Sequence, residues 1–283
     1  MLRRRGVALR GADLAIAGDV PQGAGLSSSA SLEVGVLQAL NALQGLGLDA
    51  TAVARIAQQA ENDFVGCQCG IMDQLISSRG RAGHALLIDC RALAARPVPL
   101  PADLAVMIVH SRVERGLVGS RYNERRQQCE AAARHCGVAA LRDVDLAMLE
   151  AGAAELDPRV LRRARHIVTE NQRTLDAAAA LAAGDLPRLG RLMAASHLSM
   201  RDDFEITVPA VDDLAAIAQH ALAGRGGARM TGGGFGGCVV ALMPQALVGE
   251  VRFAIDTHYR APGGERATVW VCRASDGAGV MPA

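Results

Sequence analysis

Pro21-Gln22-Gly23-Ala24-Gly25-Leu26-Ser27-Ser28-Ser29-Ala30-Ser31 runs from a glycine-rich turn into a hydroxyl-rich helix start. Gly23 and Gly25 permit a tight turn and let an anion's oxygen approach the main chain closely. A helix beginning near Ser28 leaves its first N–H groups without intrahelical partners and turns the positive end of its dipole toward that anion. The hydroxyls of Ser27, Ser28 and Ser29 can donate to phosphate or coordinate a cation. Leu26, Leu32, Val36, Leu37, Leu40 and Leu43 then recur at helical spacing, which predicts one buried helix to about residue 43. The stretch is not a Walker A loop, which requires Gly-Lys-Ser/Thr after four free positions, because no lysine stands here. Taken alone, these residues leave two readings open: a phosphate-binding loop, or a Ser-capped helix after a glycine turn.

The wider composition narrows the classes. With 283 residues, 50% of them hydrophobic, the chain can bury one sizeable core or two smaller ones. A net charge of +1, with both signs mixed along the chain, carries no electrostatic footprint for nucleic acid or an anionic membrane. Four phenylalanines, two tyrosines and one tryptophan leave the core to Ala, Leu, Val and Ile and argue against stacking-based RNA readers. The seven cysteines are scattered without a Cys-x-x-Cys pair, against a disulfide framework or a zinc site, and a cytoplasmic location is expected. Cys67-Gln68-Cys69 reads as buried structural thiols. Arg3, Arg4 and Arg5 imitate the head of a signal peptide, but Arg10 and Asp13 interrupt any apolar region behind it. No apolar run approaches the roughly 20 residues of a membrane span.

Alternation at residues 14–17 predicts a short strand entering the glycine turn. A second helix, at about 51–64, carries Val53, Ile56, Ala57 and Ala60 on one face and ends at Glu61-Asn62-Asp63. Acids at a helix C-terminus oppose the dipole, and a bound cation would give them a purpose. Residues 86–88 and 106–109 read as strands, with Pro97, Pro99 and Pro101 punctuating the link between them. Helices are expected near 120–136, 159–183, 186–201 and 209–223. A glycine cluster at 232–237, a strand at 239–242, a helix near 246–259 and a strand at 268–272 follow. No linker or repeat breaks the chain. The expected architecture is α+β in two parts, residues 1–110 and 111–283.

Three further segments carry chemistry. Cys69-Gly70-Ile71-Met72-Asp73-Gln74-Leu75 sets one acid, Asp73, in an apolar turn, where it is either an Asx-turn residue or a catalytic carboxylate. Gly116-Leu117-Val118-Gly119-Ser120-Arg121-Tyr122-Asn123-Glu124-Arg125-Arg126 opens a helix on which Arg125 and Arg126 read as solvated or ion-paired. Met230-Thr231-Gly232-Gly233-Gly234-Phe235-Gly236-Gly237-Cys238 contains Gly-x-Gly-x-x-Gly, but Val239-Val240-Ala241-Leu242 after it is a strand, where a dinucleotide site needs a helix. The seven histidines form no His-x-x-x-His pair, and His197 is assigned no chemistry.

These segments together resemble the galactokinases, within the GHMP kinase superfamily, from about residue 13 onward. The resemblance implies a GHMP kinase-like two-part fold and transfer of the γ-phosphate of ATP to the anomeric hydroxyl of D-galactose, giving galactose 1-phosphate. It implies a nucleotide loop of Gly23, Ala24, Gly25, Leu26, Ser27, Ser28 and Ser29, with Asp73 as the catalytic base. Gly70, Asp73 and Tyr122 are then the sugar contacts, Ser29 and Glu61 the ligands of Mg2+, and residues 232–237 a loop supporting nucleotide binding. The implied partners are ATP and galactose, with neither nucleic acid nor membrane.

Galactokinases also carry an N-terminal signature, an Arg-containing strand followed by Gly-Glu-His-Thr-Asp-Tyr, which occurs nowhere in these residues. The expectation is therefore a truncated N-terminal portion and poor activity. A non-catalytic nucleotide-binding or galactose-sensing remnant and an N-acetylgalactosamine kinase are the alternatives.

Overall fold

The structure, a computed structural model, describes residues 1–113 and 118–281. Ser28–Gln44 forms α1, closed by Gly45 at φ 63°, the left-handed stop that glycine adopts without a Cβ clash. Asp49 caps α2 (Ala50–Ala60) by accepting from the Ala52 N–H at 2.7 Å. The chain then widens into a π-helical turn, Glu61–Val65, and continues through α3 (Met72–Arg79), β1 (His84–Asp89) and β2 (Ala94–Pro99). Next come β3 (Leu104–His110), α4 (Val118–His135), α5 (Leu146–Ala151), α6 (Pro158–Ala182), α7 (Leu186–Asp202) and α8 (Pro209–Leu222). β4 (Gly227–Thr231), β5 (Cys238–Pro244), α9 (Val248–His258) and β6 (Thr268–Cys272) complete the order.

The chain divides into two units, residues 1–99 with 273–283, and residues 100–272. In the first, α1 and α2 bury Val34, Leu37, Val53 and Ile56 against each other, while Ala54, Ile71 and Leu75 bring α3 onto α2. β1 and β2 form an antiparallel ribbon from His84↔Pro99 to Asp89↔Ala94. The returning terminus is pinned beside α3, where the Gly277 N–H donates to Gly80 O at 2.9 Å and the Ala278 N–H to Ser77 O at 2.8 Å. A Cβ on Gly277 would stand 2.7 Å from the Ser78 carbonyl carbon, so only glycine fits.

The second unit is built on an antiparallel sheet of order β4-β5-β3-β6. Alternate residues of β3 and β5, among them Met107, Val109, Val239 and Met243, meet Leu214 and Leu222 of α8 and Ile255 of α9, the period-2 against period-3.6 match of a helix-covered sheet. Gly190 of α7 lies on β4 so closely that a Cβ there would come 2.0 Å from Gly226 O. A smaller core joins α4, α5 and α6 through Ala132, Leu149 and Ala164.

Several sequence expectations are corrected. Residues 14–17 are not a strand: Leu14 and Ile16 are exposed, and alternation makes no strand without a ladder partner among the described residues. The helix from Ser28 is not buried along its whole leucine stripe, since Leu32 is 49% and Leu43 65% exposed while Ala30, Val34 and Leu37 are covered. Pro97 and Pro99 belong to β2 rather than to a link, and among the described residues β2 pairs with β1 alone, which leaves its other edge open to prolines. Cys67 is exposed and Cys69 half-buried, in the loop behind the π-helical turn. Asp73 stands in the first turn of α3, not in a free turn. β3 pairs within the sheet of the second unit, and residues 273–281 lie with the first unit.

Candidate active site

The loop entering α1 has the conformation its glycines suggest. Gly23 and Gly25 lie at φ 72° and 75°, and Ser27, the N-cap, lies at φ 58°. A left-handed serine is uncommon and held at a cost of about 1 kcal/mol or more, so the surrounding turn imposes it. The Ser27 side chain makes no cap hydrogen bond, and no acid occupies the first turn. Aspartates instead cap α2, α5, α6 and α7. The start of α1 thus keeps its donors and positive dipole end for another acceptor. Ala24 is buried beneath the loop; Gly25, Leu26, Ser27 and Ser28 are half-buried, and Ser29 is exposed.

The start of α3, behind the π-helical turn, presents Asp73. Its carboxylate sits in the first turn of α3, whose N-cap residue, Ile71, supplies no side-chain cap. Gly70, three residues earlier, has no positive φ, and a Cβ there would meet nothing within 4 Å. Neither backbone conformation nor internal packing demands glycine at this position, which leaves room for a ligand.

Glu61 is 8% exposed at the start of the π-helical turn, and its Oε2 has no hydrogen-bond partner. Glu33 of α1 lies beside it. Burial and the neighbouring Glu61 carboxyl push Glu33 up to about 8, opposed by a hydrogen bond from Gln74. Glu33 escaped the sequence reading, although it is the one charged residue of α1 and stands one turn after Ser29 on the same face. A buried, unpartnered carboxylate oxygen suits Mg2+, which takes oxygen donors and keeps sites for water and phosphate. No group of three or more His, Cys, Asp or Glu among the described residues is gathered to hold a metal, so nucleotide oxygens and water would complete the shell.

The second unit carries the other two segments. Gly116 and Leu117 of the tyrosine segment lie outside the described residues. Tyr122, on α4, is 36% exposed, and a Cβ on Gly233 would stand 3.8 Å from its ring. The glycine cluster closes the β4–β5 hairpin, joining Thr231 to its partner Cys238. Gly234 at φ 82° and Gly236 at φ 126° leave no space for a Cβ, which would lie 2.3 Å from Ile206 O and 2.7 Å from Val113 O respectively. The loop is therefore a fixed hairpin end, not a dinucleotide turn. Phe235 lies under the guanidinium groups of Arg121 and Arg125, at 5.2 and 5.8 Å.

Arg125 also donates to Phe204 O at 2.8 Å and Glu205 O at 3.1 Å and pairs with Glu124, while Arg126 pairs with Glu130 at 2.9 Å. Both act as structural ties. His197 accepts from the Met230 N–H at 3.1 Å through Nδ1, with Nε2 3.2 Å from Asp212 Oδ1. Burial holds its pKa below the ordinary histidine value, against the pull of Asp212. Its Nδ1 is engaged by the fold, while Nε2 is buried beside Asp212 without a hydrogen bond.

The GHMP kinases N terminal domain family matches residues 1–81, and the GHMP kinases C terminal family matches residues 177–261. A crystal structure of Lactococcus lactis galactokinase complexed with galactose is 35% identical. It superimposes with a TM-score of 0.86 over 92% of this chain and 68% of that one. Streptococcus pneumoniae phosphomevalonate kinase, at 15% identity, TM-score 0.63, and coverage of 96% of this chain and 78% of its own, shares the fold. So does L. major mevalonate kinase, at 19% identity and TM-score 0.58, over 89% of this chain and 67% of its own. Among the described residues no helix is long and apolar enough to cross a membrane. Two family domains in order, and identity above 30% across most of the chain, show that it belongs to the GHMP kinases, a family of phosphotransferases.

Proposed function

We propose that the chain is a galactokinase, transferring the γ-phosphate of ATP to the anomeric hydroxyl of D-galactose to give galactose 1-phosphate and ADP, at the entry of galactose into the Leloir pathway. The observation that carries this reading is the 35% identity, over 92% of the chain, to a galactokinase held with galactose. The turn containing Gly70 and Asp73 adds the chemistry it requires. The Asp73 carboxylate accepts the proton of the anomeric hydroxyl, whose oxygen attacks the γ-phosphorus as the bond to the β-phosphate oxygen breaks. Gly70 and Tyr122 contact the sugar.

The loop from Gly23 to Ser29 receives the phosphates through its free helix-start donors. Such a transfer depends mainly on positioning and on offsetting charge. Ser29 and Glu61 would hold Mg2+, which when bound neutralises phosphate charge. The proposed compartment is the cytoplasm, where free cysteines, as all seven are here, stay reduced.

The test incubates the chain with ATP, Mg2+ and either D-galactose or N-acetylgalactosamine and follows sugar phosphates by 31P NMR. Galactose 1-phosphate supports the proposal. Phosphorylation of N-acetylgalactosamine alone overturns the substrate, and nucleotide binding without any sugar phosphate overturns the activity.

A further inference from the structure

β4 lies at the end of the sheet order β4-β5-β3-β6, so one of its sides has no strand partner among the described residues. Ala228 and Met230, two residues apart, turn main-chain groups away from β5, and side chains of the covering helices meet them there. The Ala228 carbonyl accepts from Gln219 Nε2 of α8 at 2.8 Å, and the Met230 N–H donates to His197 Nδ1 of α7 at 3.1 Å. Met230 is fully buried, where an N–H without an acceptor is costly.

These contacts also fix the proton of His197. Nδ1 accepts and so carries no hydrogen; the neutral ring holds its one hydrogen on Nε2, 3.2 Å from Asp212 Oδ1. Those two atoms are buried and have no hydrogen bond to any other group. Asp212 Oδ2 accepts from Thr207 Oγ1 at 3.1 Å. Thr207 follows Ile206, whose carbonyl accepts from the Phe235 N–H at 2.6 Å inside the glycine hairpin. Asp212 therefore stands between two anchors of that hairpin: Met230, one residue before the closing pair of Thr231 and Cys238, and Phe235 within it. Gly233 of the same hairpin lies against the Tyr122 ring.

We infer that His197 is a positioning residue of the proposed site: its Nδ1 pins the outer edge of β4 where the glycine hairpin opens, and through the hairpin it sets the ring of Tyr122. The inference rests on the reading of Tyr122 as a sugar contact. A strand inside a sheet is held from both sides; at this edge one imidazole nitrogen takes the place of a neighbouring strand. The role calls for a fixed acceptor at this depth, not for a charge.

The experiment uses the full chain as wild type, His197→Leu, His197→Asn and Tyr122→Phe. Amide exchange of the fragment spanning residues 227–238 is followed by mass spectrometry, and D-galactose affinity by isothermal titration calorimetry. Ser196 Oγ still accepts from Arg229 at 2.5 Å, one residue earlier on both elements, so α7 stays joined to β4 in the variants. Circular dichroism melting establishes that each folds, and His197→Ala replaces the leucine variant should it fail. In His197→Leu, exchange is expected to be about tenfold faster and galactose affinity about 3- to 10-fold weaker. His197→Asn, whose Oδ1 occupies the place of Nδ1, is expected to restore both to within about twofold. Wild-type exchange in His197→Leu, or an asparagine variant as impaired as the leucine one, would overturn the inference. So would faster exchange with unchanged galactose affinity in His197→Leu while Tyr122→Phe loses affinity, because the hairpin would then not set Tyr122. Unchanged affinity in Tyr122→Phe would overturn the sugar contact, and with it the step from hairpin to sugar, leaving exchange to decide whether His197 holds β4. Absence of galactose binding in the wild type would overturn the proposed substrate instead.

Discussion

His166 makes the second unit acid-sensitive in a way that can be calculated. It is 5% exposed, stacks on Phe204 at 4.5 Å and holds Nδ1 3.0 Å from Ser199 Oγ, whose hydroxyl donates to Asp203 Oδ2 at 2.8 Å. Burial depresses its pKa from 6.5 to about 4, although Glu170 pulls the other way. The unfolded chain therefore binds a proton at pH values where the folded chain does not. This contribution to stability is complete above the unfolded value and is lost as pH falls through 6.5 toward 4. Integrating the linkage between pH 7 and 4.5 gives a loss of about 2 kcal/mol.

Trp270, the chain's one tryptophan, lies on β6 of this unit and reports its unfolding. Urea curves followed by its fluorescence at the two pH values, for the wild type and His166→Gln, isolate the effect. Glu205, held at about 2 by Arg163 and Arg162, contributes alike to both proteins. The wild type is expected to lose about 2 kcal/mol more than the variant on acidification. Equal losses would refute the reasoning.

Gly190→Ala forces a methyl group onto Gly226 O, and overpacking of this kind destabilises by about 1–3 kcal/mol; an unchanged urea midpoint by Trp270 fluorescence would contradict the close approach of α7 to β4. Arg163→Met removes a guanidinium that is 2% exposed and bonds Glu205 at 2.5 Å and Gln128 at 3.3 Å. Because Glu205 remains partly solvated after the change, the expected loss is about 1–3 kcal/mol in the same assay, and a value near zero would show that the network contributes nothing. Gly70→Ala meets no atom of the chain within 4 Å, so stability should change by less than about 0.5 kcal/mol while the KM for galactose rises. An unaltered KM would remove Gly70 from the sugar contacts.

How much of this was legible depends on how local each cause is. The conformation of the loop entering α1 follows from Gly23, Gly25 and the serines themselves, and α6, α7 and α8 from helical periodicity and from Asp157, Asp185 and Pro209 at their starts. β4 opens on Gly227 and is short; it becomes a strand because β5 pairs with it, which no five-residue window contains. Residues 14–17 show the converse, alternation without a partner. α3 was hidden behind Cys69 and Gly70, which read as a turn. Glu33 looked like one polar position of a helix; only the π-helical turn and α3, distant in sequence, show what it faces. Tyr122 and Asp73 are candidates through resemblance, since neither residue's surroundings are written in its own segment.

The central claim is that Asp73 takes the proton from galactose as phosphate is transferred. Its most direct test is galactose-dependent ADP release by the wild type and Asp73→Asn under the same ATP and Mg2+ concentrations. Loss of a charged group acting in the transition state is expected to lower the galactose-dependent rate by about 10²-fold or more, with nucleotide affinity retained. A galactose-dependent rate that survives the Asp73→Asn change would contradict the account.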